Sequence, residues 1–267
     1  MITRYSPIAP IKVLESMLEH DIKHSDYTIG NYLLLLAHDV LKYPMEYEDL
    51  VREVRHYYRG DEDTFIIMDN SIIELGNAMH ANDVIEAACV VEASCIMTPD
   101  ALGGFEATKE LVREQAPLLH DCNFPLMRVP QGANYTELVE CVNWLIDVFP
   151  TPALSPMYWG IPRWIANELG SRAPLVNYIG NIQSDSHVYI HLLGMSNNYG
   201  DDIKCALMPY VMGIDSANPP NMGTYWLDIS KPKNRGHLKR GDYWEQTKLP
   251  RMSMSNIRFM HNAVVKG

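Results

Sequence analysis

Paired cysteines and long apolar runs are both missing from the 267-residue chain. The five cysteines are odd in number and none belongs to a Cys-x-x-Cys pair, which argues against a disulfide framework and against a zinc ribbon. The longest uncharged apolar run, residues 32–37, is far shorter than the roughly 20 residues of a membrane-spanning helix, and residues 1–10 have no signal-peptide pattern. We therefore expect a cytoplasmic protein with reduced thiols and no membrane contact.

Positive charge is also scarce, because 22 Lys and Arg face 33 Asp and Glu, a net charge of −11. Such a total repels a phosphate backbone unless the basic residues collect on one face. Residues 231–251 hold seven basic and two acidic residues, a local charge of +5 that leaves −16 elsewhere, and include Tyr243 and Trp244. Basic residues interleaved with aromatic ones suit a nucleic-acid strand, and a solvated surface is the alternative. The predicted nucleic-acid contacts are Lys231, Lys233, Arg235, Lys239 and Arg240.

Apolar runs alternate with helix-like stretches along the chain, which predicts an α/β fold. Near-continuous apolar runs are typical of parallel strands covered on both faces. We predict strands at 32–37, 65–68, 94–98, 126–129, 153–157, 188–193 and 210–214, with an irregular first strand within 1–31. We predict helices at 46–58, 81–91, 106–115, 134–148, 162–169 and 201–208, with Asn134 and Asp201 as caps. The pattern fits a βα barrel or a doubly wound sheet.

Polar residues or glycines follow almost every predicted strand, and three of them are the carboxylates Asp69, Asp100 and Asp215. In a βα barrel the carboxyl ends of the strands converge on one mouth, whereas a doubly wound sheet spreads them along a crevice. Three carboxylates supply a nucleophile, a general acid/base and an acceptor for a base edge, the set needed for exchange at an anomeric carbon. A helix cap or a turn is the alternative role for each Asp.

Short segments within 32–219 resemble, in matching order, the queuine/7-deazaguanine tRNA-guanine transglycosylases. The family has an Asp-Ser-Gly-Gly-like turn with a catalytic Asp, a later base-recognising Asp, and the motifs Val-Gln-Gly, Gly-Gly-Leu-Ala, Tyr-Leu-Met-Gly and Phe-Asp-Cys. The similar positions here are Asp69-Asn70-Ser71, Asp100, Pro130-Gln131-Gly132, Trp159-Gly160-Ile161-Pro162, His191-Leu192-Leu193-Gly194 and Ile214-Asp215-Ser216.

The resemblance implies a single TIM-like barrel over residues 1–267 and base exchange through a covalent intermediate. Asp215 would attack C1′ of a guanosine nucleotide, with Asp69 as the general acid/base. Asp100 and Gln131 would recognise the purine edge. The expected binding residues also include Asn70, Ile73, Gly132, Gly160, Ile161, Leu193 and Gly194, among which Gly160 contributes its N–H group and Ile161 its carbonyl. We expect no cofactor.

Three departures from the tRNA-modifying enzymes bear on the substrate. No cysteine follows Cys205, so the family's C-terminal zinc subdomain has no counterpart and we expect no metal; the aromatic residue that stacks on the base is replaced by Ile73. The chain is also shorter, and it looks closer to the compact relatives, encoded by phages and genomic islands, that place 7-deazaguanines into DNA. We therefore predict replacement of guanine in DNA by a 7-deazaguanine of the preQ0 type, with a homodimer as an allowed state. The alternatives are a tRNA substrate, a glycoside hydrolase and a non-catalytic partner subunit.

Overall fold

The computed structural model describes residues 3–59, 64–152, 155–182, 187–196, 199–231 and 246–266. All eight strands of its sheet are parallel. Their bounds are β1 (Arg4–Pro7), β2 (Tyr32–Leu36), β3 (Phe65–Asp69), β4 (Cys95–Met97), β5 (Leu126–Arg128), β6 (Met157–Pro162), β7 (Val188–Leu193) and β8 (Val211–Ser216). The strand order is β1-β8-β7-β6-β5-β4-β3-β2.

Helices fill the connections between strands and cover the outside of the sheet. Their bounds are α1 (Ile11–His24), α2 (Ala37–Lys42), α3 (Pro44–Tyr57), α4 (Ile72–Leu75), α5 (Ala81–Val91), α6 (Phe105–Asp121), α7 (Tyr135–Val148), α8 (Trp164–Leu169), α9 (Ala173–Ile182), α10 (Tyr199–Ala206), α11 (Asn218–Thr224) and α12 (Arg251–Lys266). In the part of the chain that the structure describes, none of these helices is both long and apolar enough to cross a bilayer.

The sheet curls into a nearly closed barrel, which confirms the predicted TIM-like α/β fold. Strand β1 pairs with β8, so that β1 and β2 form the two edges of the sheet. The two edges are joined by a side chain, because the Leu34 N–H donates to Ser6 Oγ at 2.8 Å. A serine on the short strand β1 therefore closes the seam where ladder hydrogen bonds end.

Several predicted boundaries were wrong. The strand predicted at 153–157 is β6, Met157–Pro162, because the apolar residues from Met157 onward are the ones that are buried on both faces; residues 153–154 lie outside the described residues. The predicted irregular first strand is the regular strand β1. Pro162 ends β6, so helix α8 begins at Trp164.

Of the two predicted helix caps, one is confirmed and one was wrong. The Asn134 side chain accepts the Glu137 N–H and caps α7, as predicted. Asp201 lies inside α10, where its carboxylate accepts hydrogen bonds from Ser171 and from the Arg172 N–H instead. Helix α6 continues through Pro117 to Asp121, past its predicted end, because its buried face extends to Leu119.

Aromatic rings fill the barrel near the strand starts. The rings of Tyr32 and Phe65 stack at 5.8 Å, and Tyr158 lies 5.5 Å from both Phe65 and Tyr189. We call Tyr32, Phe65, Tyr158 and Tyr189 the aromatic layer. Gly213 on β8 makes room for it, because a Cβ there would lie 2.3 Å from Tyr32 Cε1. The aromatic layer occupies the end of the barrel at which the strands begin. The polar residues gather at the opposite end, around the carboxyl ends of the strands.

Candidate functional site

A cavity of about 490 Å³ opens at the carboxyl ends of the strands, as expected for the functional face of a βα barrel. It is lined by residues at or just after the end of each of the eight strands. The structure therefore brings most of the predicted site residues to one place, namely Asp69, Asn70, Ile73, Asp100, Gln131, Leu193, Gly194 and Asp215.

Asp215 lies near the end of β8 and is 7% exposed. Its Oδ1 accepts the Gly194 N–H at 2.9 Å and a hydrogen bond from His191 Nε2 at 2.8 Å. Gly194 has φ +67°, a left-handed conformation that glycine adopts without strain and that aims its N–H at the carboxylate. The hydrogen bonds from described residues all go to Oδ1, which leaves Oδ2 as the oxygen available to a ligand.

Asp69, the last residue of β3, holds the second carboxyl of the cavity. Its Oδ1 accepts the Ser71 N–H at 2.5 Å. Burial raises the pKa of Asp69 well above its usual value, and the negative charges of Glu74, Asp215 and Asp100 raise it further. Asp69 is thus the carboxyl of the cavity that most readily keeps a proton.

Asp100 is held between two amide side chains and is 3% exposed. Asn70 Nδ2 donates to its Oδ1 at 2.7 Å, and Gln131 Nε2 donates to its Oδ2 at 2.5 Å. Burial raises the pKa of Asp100 to about 6, against the lowering effect of these two donors. Above that pH the side chain is a fixed carboxylate acceptor in the cavity wall.

Two hydrogen-bond donors that were not predicted from the sequence fix the orientation of the Gln131 side chain. Its Oε1 accepts the Gly103 N–H at 2.9 Å and Trp164 Nε1–H at 2.7 Å. Because both donors bind the carbonyl oxygen, the amide nitrogen points toward Asp100. Trp164 opens α8 and lines the cavity, and its position two residues after the proline that ends β6 is the only sequence signal for it.

Three predicted binding residues do not line the cavity: Gly132, Gly160 and Ile161. A Cβ at Gly132 would lie 2.7 Å from the Glu137 Cβ, so this glycine allows the chain to pack on the start of α7. A Cβ at Gly160 would lie 2.8 Å from Leu193 Cδ1, so Gly160 makes room for the cavity wall. The carbonyl of Ile161 accepts a hydrogen bond from the buried Arg172 at 3.3 Å. Their predicted backbone contacts to a base remain predictions.

The predicted basic segment 231–251 is described only at its two ends. Lys231 is an exposed residue that lies 3.9 Å from the Asp228 carboxylate. Lys233, Arg235, Lys239 and Arg240 lie outside the described residues. The structure therefore shows the surroundings of the first of the five predicted nucleic-acid contacts.

The other end of the segment lies in a groove of about 560 Å³ between α1 and α12. We call it the basic groove. Its charged lining comprises Glu19, Lys23, Lys248, Arg251 and Arg258, and Arg258 also forms an ion pair with Asp26. Lys248 and Arg251 belong to the predicted basic segment and lie in this groove beside Lys23.

No protein-family model matches the chain, and no curated protein matches it. Over the described residues, no group of three or more His, Cys, Asp or Glu side chains is arranged to hold a metal ion.

Proposed function

We propose that this protein exchanges a guanine base in DNA for a 7-deazaguanine, through a covalent bond between Asp215 and C1′ of the nucleotide. One observation carries the proposal: an Asp215 with one oxygen fixed and the other available shares a cavity with Asp69, whose pKa is raised. A carboxylate nucleophile beside a carboxylic acid is the pair that double displacement at an anomeric carbon needs.

The first displacement releases guanine. Asp215 Oδ2 forms a bond to C1′ while the C1′–N9 bond breaks, and the electron pair of that bond leaves with the base. The proton held by Asp69 passes to the departing guanine, which leaves as a neutral molecule.

The second displacement runs in the opposite direction. Asp69, now ionised, accepts the N9 proton of the incoming 7-deazaguanine, whose N9 forms a bond to C1′ as the bond to Asp215 breaks. Two inversions retain the anomeric configuration, and Asp215 returns as a carboxylate.

Base recognition is supported by the remaining acceptor capacity of Asp100. A carboxylate can accept about four hydrogen bonds, and Asp100 receives one on each oxygen from Asn70 and Gln131. The unused lone pairs can accept two adjacent N–H donors of the guanine edge. Apolar contact to the base faces comes from the cavity residues Leu193 and Val129 and from Ile73, which is 44% exposed.

A nucleic-acid partner is supported by the charge of the basic groove. The chain carries a net charge of −11, yet Lys23, Lys248 and Arg251 gather in one groove. Cations on one face attract phosphates in spite of a negative total. The target nucleotide must leave the base stack to reach a cavity at a barrel mouth.

Base exchange can be tested with radiolabelled guanine. The protein is incubated separately with duplex DNA, single-stranded DNA and tRNA, and incorporation is counted. We expect incorporation into DNA, and a protein–DNA adduct that survives denaturation for the native chain but not for Asp215→Asn. The exposed Asp121→Asn serves as the matched control. Incorporation into tRNA alone would overturn the choice of polymer, and release of reducing sugar without any incorporation would favour a glycoside hydrolase.

A further inference from the structure

We propose that His191 is a positioning residue for Asp215 and that Tyr32 selects the imidazole tautomer required for it. The inference rests on the proposed function, in which Asp215 is the nucleophile. Tyr32 Oη lies 2.7 Å from His191 Nδ1, and His191 Nε2 lies 2.8 Å from Asp215 Oδ1. Tyr32 is 1% exposed and His191 is fully buried. Three side chains from β2, β7 and β8 thus form one hydrogen-bonded chain across the barrel interior.

The direction of each hydrogen bond follows from Tyr32. Burial raises the pKa of its phenol well above the usual value, so the hydroxyl keeps its proton. Among the described residues, His191 Nδ1 is the partner of that hydroxyl. The phenol therefore donates to Nδ1, which leaves the imidazole proton on Nε2, and Nε2–H donates to Asp215.

The Tyr32–His191–Asp215 hydrogen bonds fix one of several carboxyl groups in the cavity. The charged or titratable groups around Asp215 are Asp69, Asp100 and Glu74, together with Arg163 on the cavity wall and Arg4, whose guanidinium lies 4.6 Å from the centre of the Tyr32 ring. Four carboxyl groups line this cavity, Asp69, Glu74, Asp100 and Asp215, and their proximity favours protonation of one of them. His191 Nε2 and the Gly194 N–H both donate to Asp215 Oδ1, whereas burial raises the pKa of Asp69, so that the proton stays on Asp69.

Two features of the barrel accommodate the hydrogen-bonded side chains Tyr32, His191 and Asp215. Glycine at position 213 leaves the space that the Tyr32 ring occupies, since a Cβ there would also lie 2.5 Å from Tyr32 Oη. The register between β7 and β8 shifts between Ile190 and His191, a bulge that changes how the strand aims its side chains. The bulge and the glycine both lie within the β7–β8 pair that carries His191 and Asp215.

A first experiment needs no catalytic activity. In protein labelled with ¹⁵N-histidine, the His191 signal, assigned by its loss in His191→Gln, should show a protonated Nε2 and an unprotonated Nδ1. His191→Phe, which removes the donor to Oδ1, should change the carboxyl ¹³C chemical shift of Asp215, and His191→Gln, whose amide can still donate, should change it less. A protonated Nδ1, or an Asp215 carboxyl shift that is the same in the native chain and His191→Phe, would overturn the inference.

A second experiment measures guanine exchange. We expect Tyr32→Phe to lower kcat by about tenfold, the effect of losing one buried hydrogen bond, with little change in KM for guanine. The acid limb of the pH profile should move to higher pH in His191→Phe. Tyr189→Phe, which removes a hydroxyl from the same aromatic layer without touching His191, is the matched control. A native-like kcat and pH profile in Tyr32→Phe and His191→Phe would contradict the proposal.

The two experiments separate the inference from the function on which it rests. If the native chain exchanges no guanine in any polymer, the proposed function fails, and the ¹⁵N and ¹³C spectra still decide whether His191 orients Asp215. Thermal melting of each variant identifies any loss of activity that comes from unfolding.

Discussion

Arg172 and Asp202 form an ion pair in which both side chains are completely buried, with Arg172 Nη2 2.5 Å from Asp202 Oδ1. Arg172 Nη1 also donates to the carbonyls of Leu193 and Gly194 at 3.4 and 3.0 Å. The ion pair therefore holds the turn at Leu193 and Gly194 in place. The N–H of Gly194 in this turn donates to Asp215.

Removal of Arg172 tests how much this support contributes. Arg172→Met leaves the Asp202 carboxylate buried without its cation, so we expect the free energy of unfolding to fall by about 3–5 kcal/mol. Arg52→Met, which removes an exposed ion pair with Asp49, should cost at most about 1 kcal/mol. Urea denaturation measures both losses, and equal losses would contradict a structural role for the buried pair.

We expect Asp69 to lower the stability of the fold at neutral pH and to be required for guanine exchange. Its folded-state pKa lies well above the unfolded value, so stability falls as the pH rises above the unfolded pKa, because the unfolded chain releases a proton that the folded protein keeps. Asp69→Asn should therefore raise the free energy of unfolding at pH 7 by about 1 kcal/mol while it abolishes guanine exchange. The gain should vanish below about pH 4, where Asp69 is protonated in both states. Urea denaturation at pH 7 and pH 4 would show it, and a loss of stability at pH 7 would refute the argument.

Guanine affinity should depend on pH through Asp100. Burial raises the pKa of Asp100 to about 6, and only the ionised side chain offers its full set of acceptors. Affinity should therefore be constant well above pH 6 and fall up to about tenfold for each pH unit below it. Calorimetric titration of guanine between pH 5 and pH 8 tests this. In Asp100→Asn the binding should be weak at every pH; a step near pH 6 that persists in this variant would assign the titration to another group.

Gly213 should be intolerant of any side chain. A Cβ at this position would lie 2.3 Å from the Tyr32 ring inside the barrel, so either the ring or strand β8 would have to shift. Gly213→Ala should lower stability by about 1–3 kcal/mol and displace Tyr32 from His191. Gly104→Ala is the matched control, because the nearest atom to its Cβ would be 3.5 Å away. Thermal melts that are equal for the two variants would show that the Tyr32 ring is free to shift.

Charge reversal in the basic groove tests the nucleic-acid partner. Lys248→Glu combined with Arg251→Glu should weaken DNA binding and lower the slope of log affinity against log salt by about two, if both cations contact phosphates. Arg52→Glu combined with Arg59→Glu makes the same change of charge on another exposed surface. Fluorescence anisotropy across salt concentrations compares the two. An equal effect of both double variants would show that net charge, and not the groove, determines affinity.

The fold was predictable where strands are mainly apolar and unpredictable where they are not. Strands β2, β3 and β7 are apolar apart from Asp69 and His191 and lie almost where they were predicted. Strand β1, Arg-Tyr-Ser-Pro, alternates polar and apolar residues over four positions, too few to show a pattern. The glycine and proline of β6 suggest a turn, and only packing between β5 and β7 makes that segment a strand.

The candidate site was predictable to the extent that its chemistry lies at strand ends. Asp69, Asp100 and Asp215 follow apolar runs, and parallel strands bring their ends together. Tyr32 gave no such signal, because an aromatic residue that begins an apolar run suggests core packing, and its hydroxyl binds a histidine 159 residues away. Trp164 likewise binds Gln131 across 33 residues. Contacts of this kind depend on the closed barrel and leave no local pattern.

The aromatic layer also limits how ligands can enter and leave the cavity at the carboxyl ends of the strands. Because Tyr32, Phe65, Tyr158 and Tyr189 fill the barrel below the cavity, a base and a nucleotide would enter from the same end. In the proposed exchange, the departing guanine and the incoming 7-deazaguanine would share Asp100 as their acceptor, so the two bases would occupy the cavity in turn. Under the proposed exchange, turnover follows ping-pong kinetics, in which guanine added to the solution competes directly with the base that replaces it.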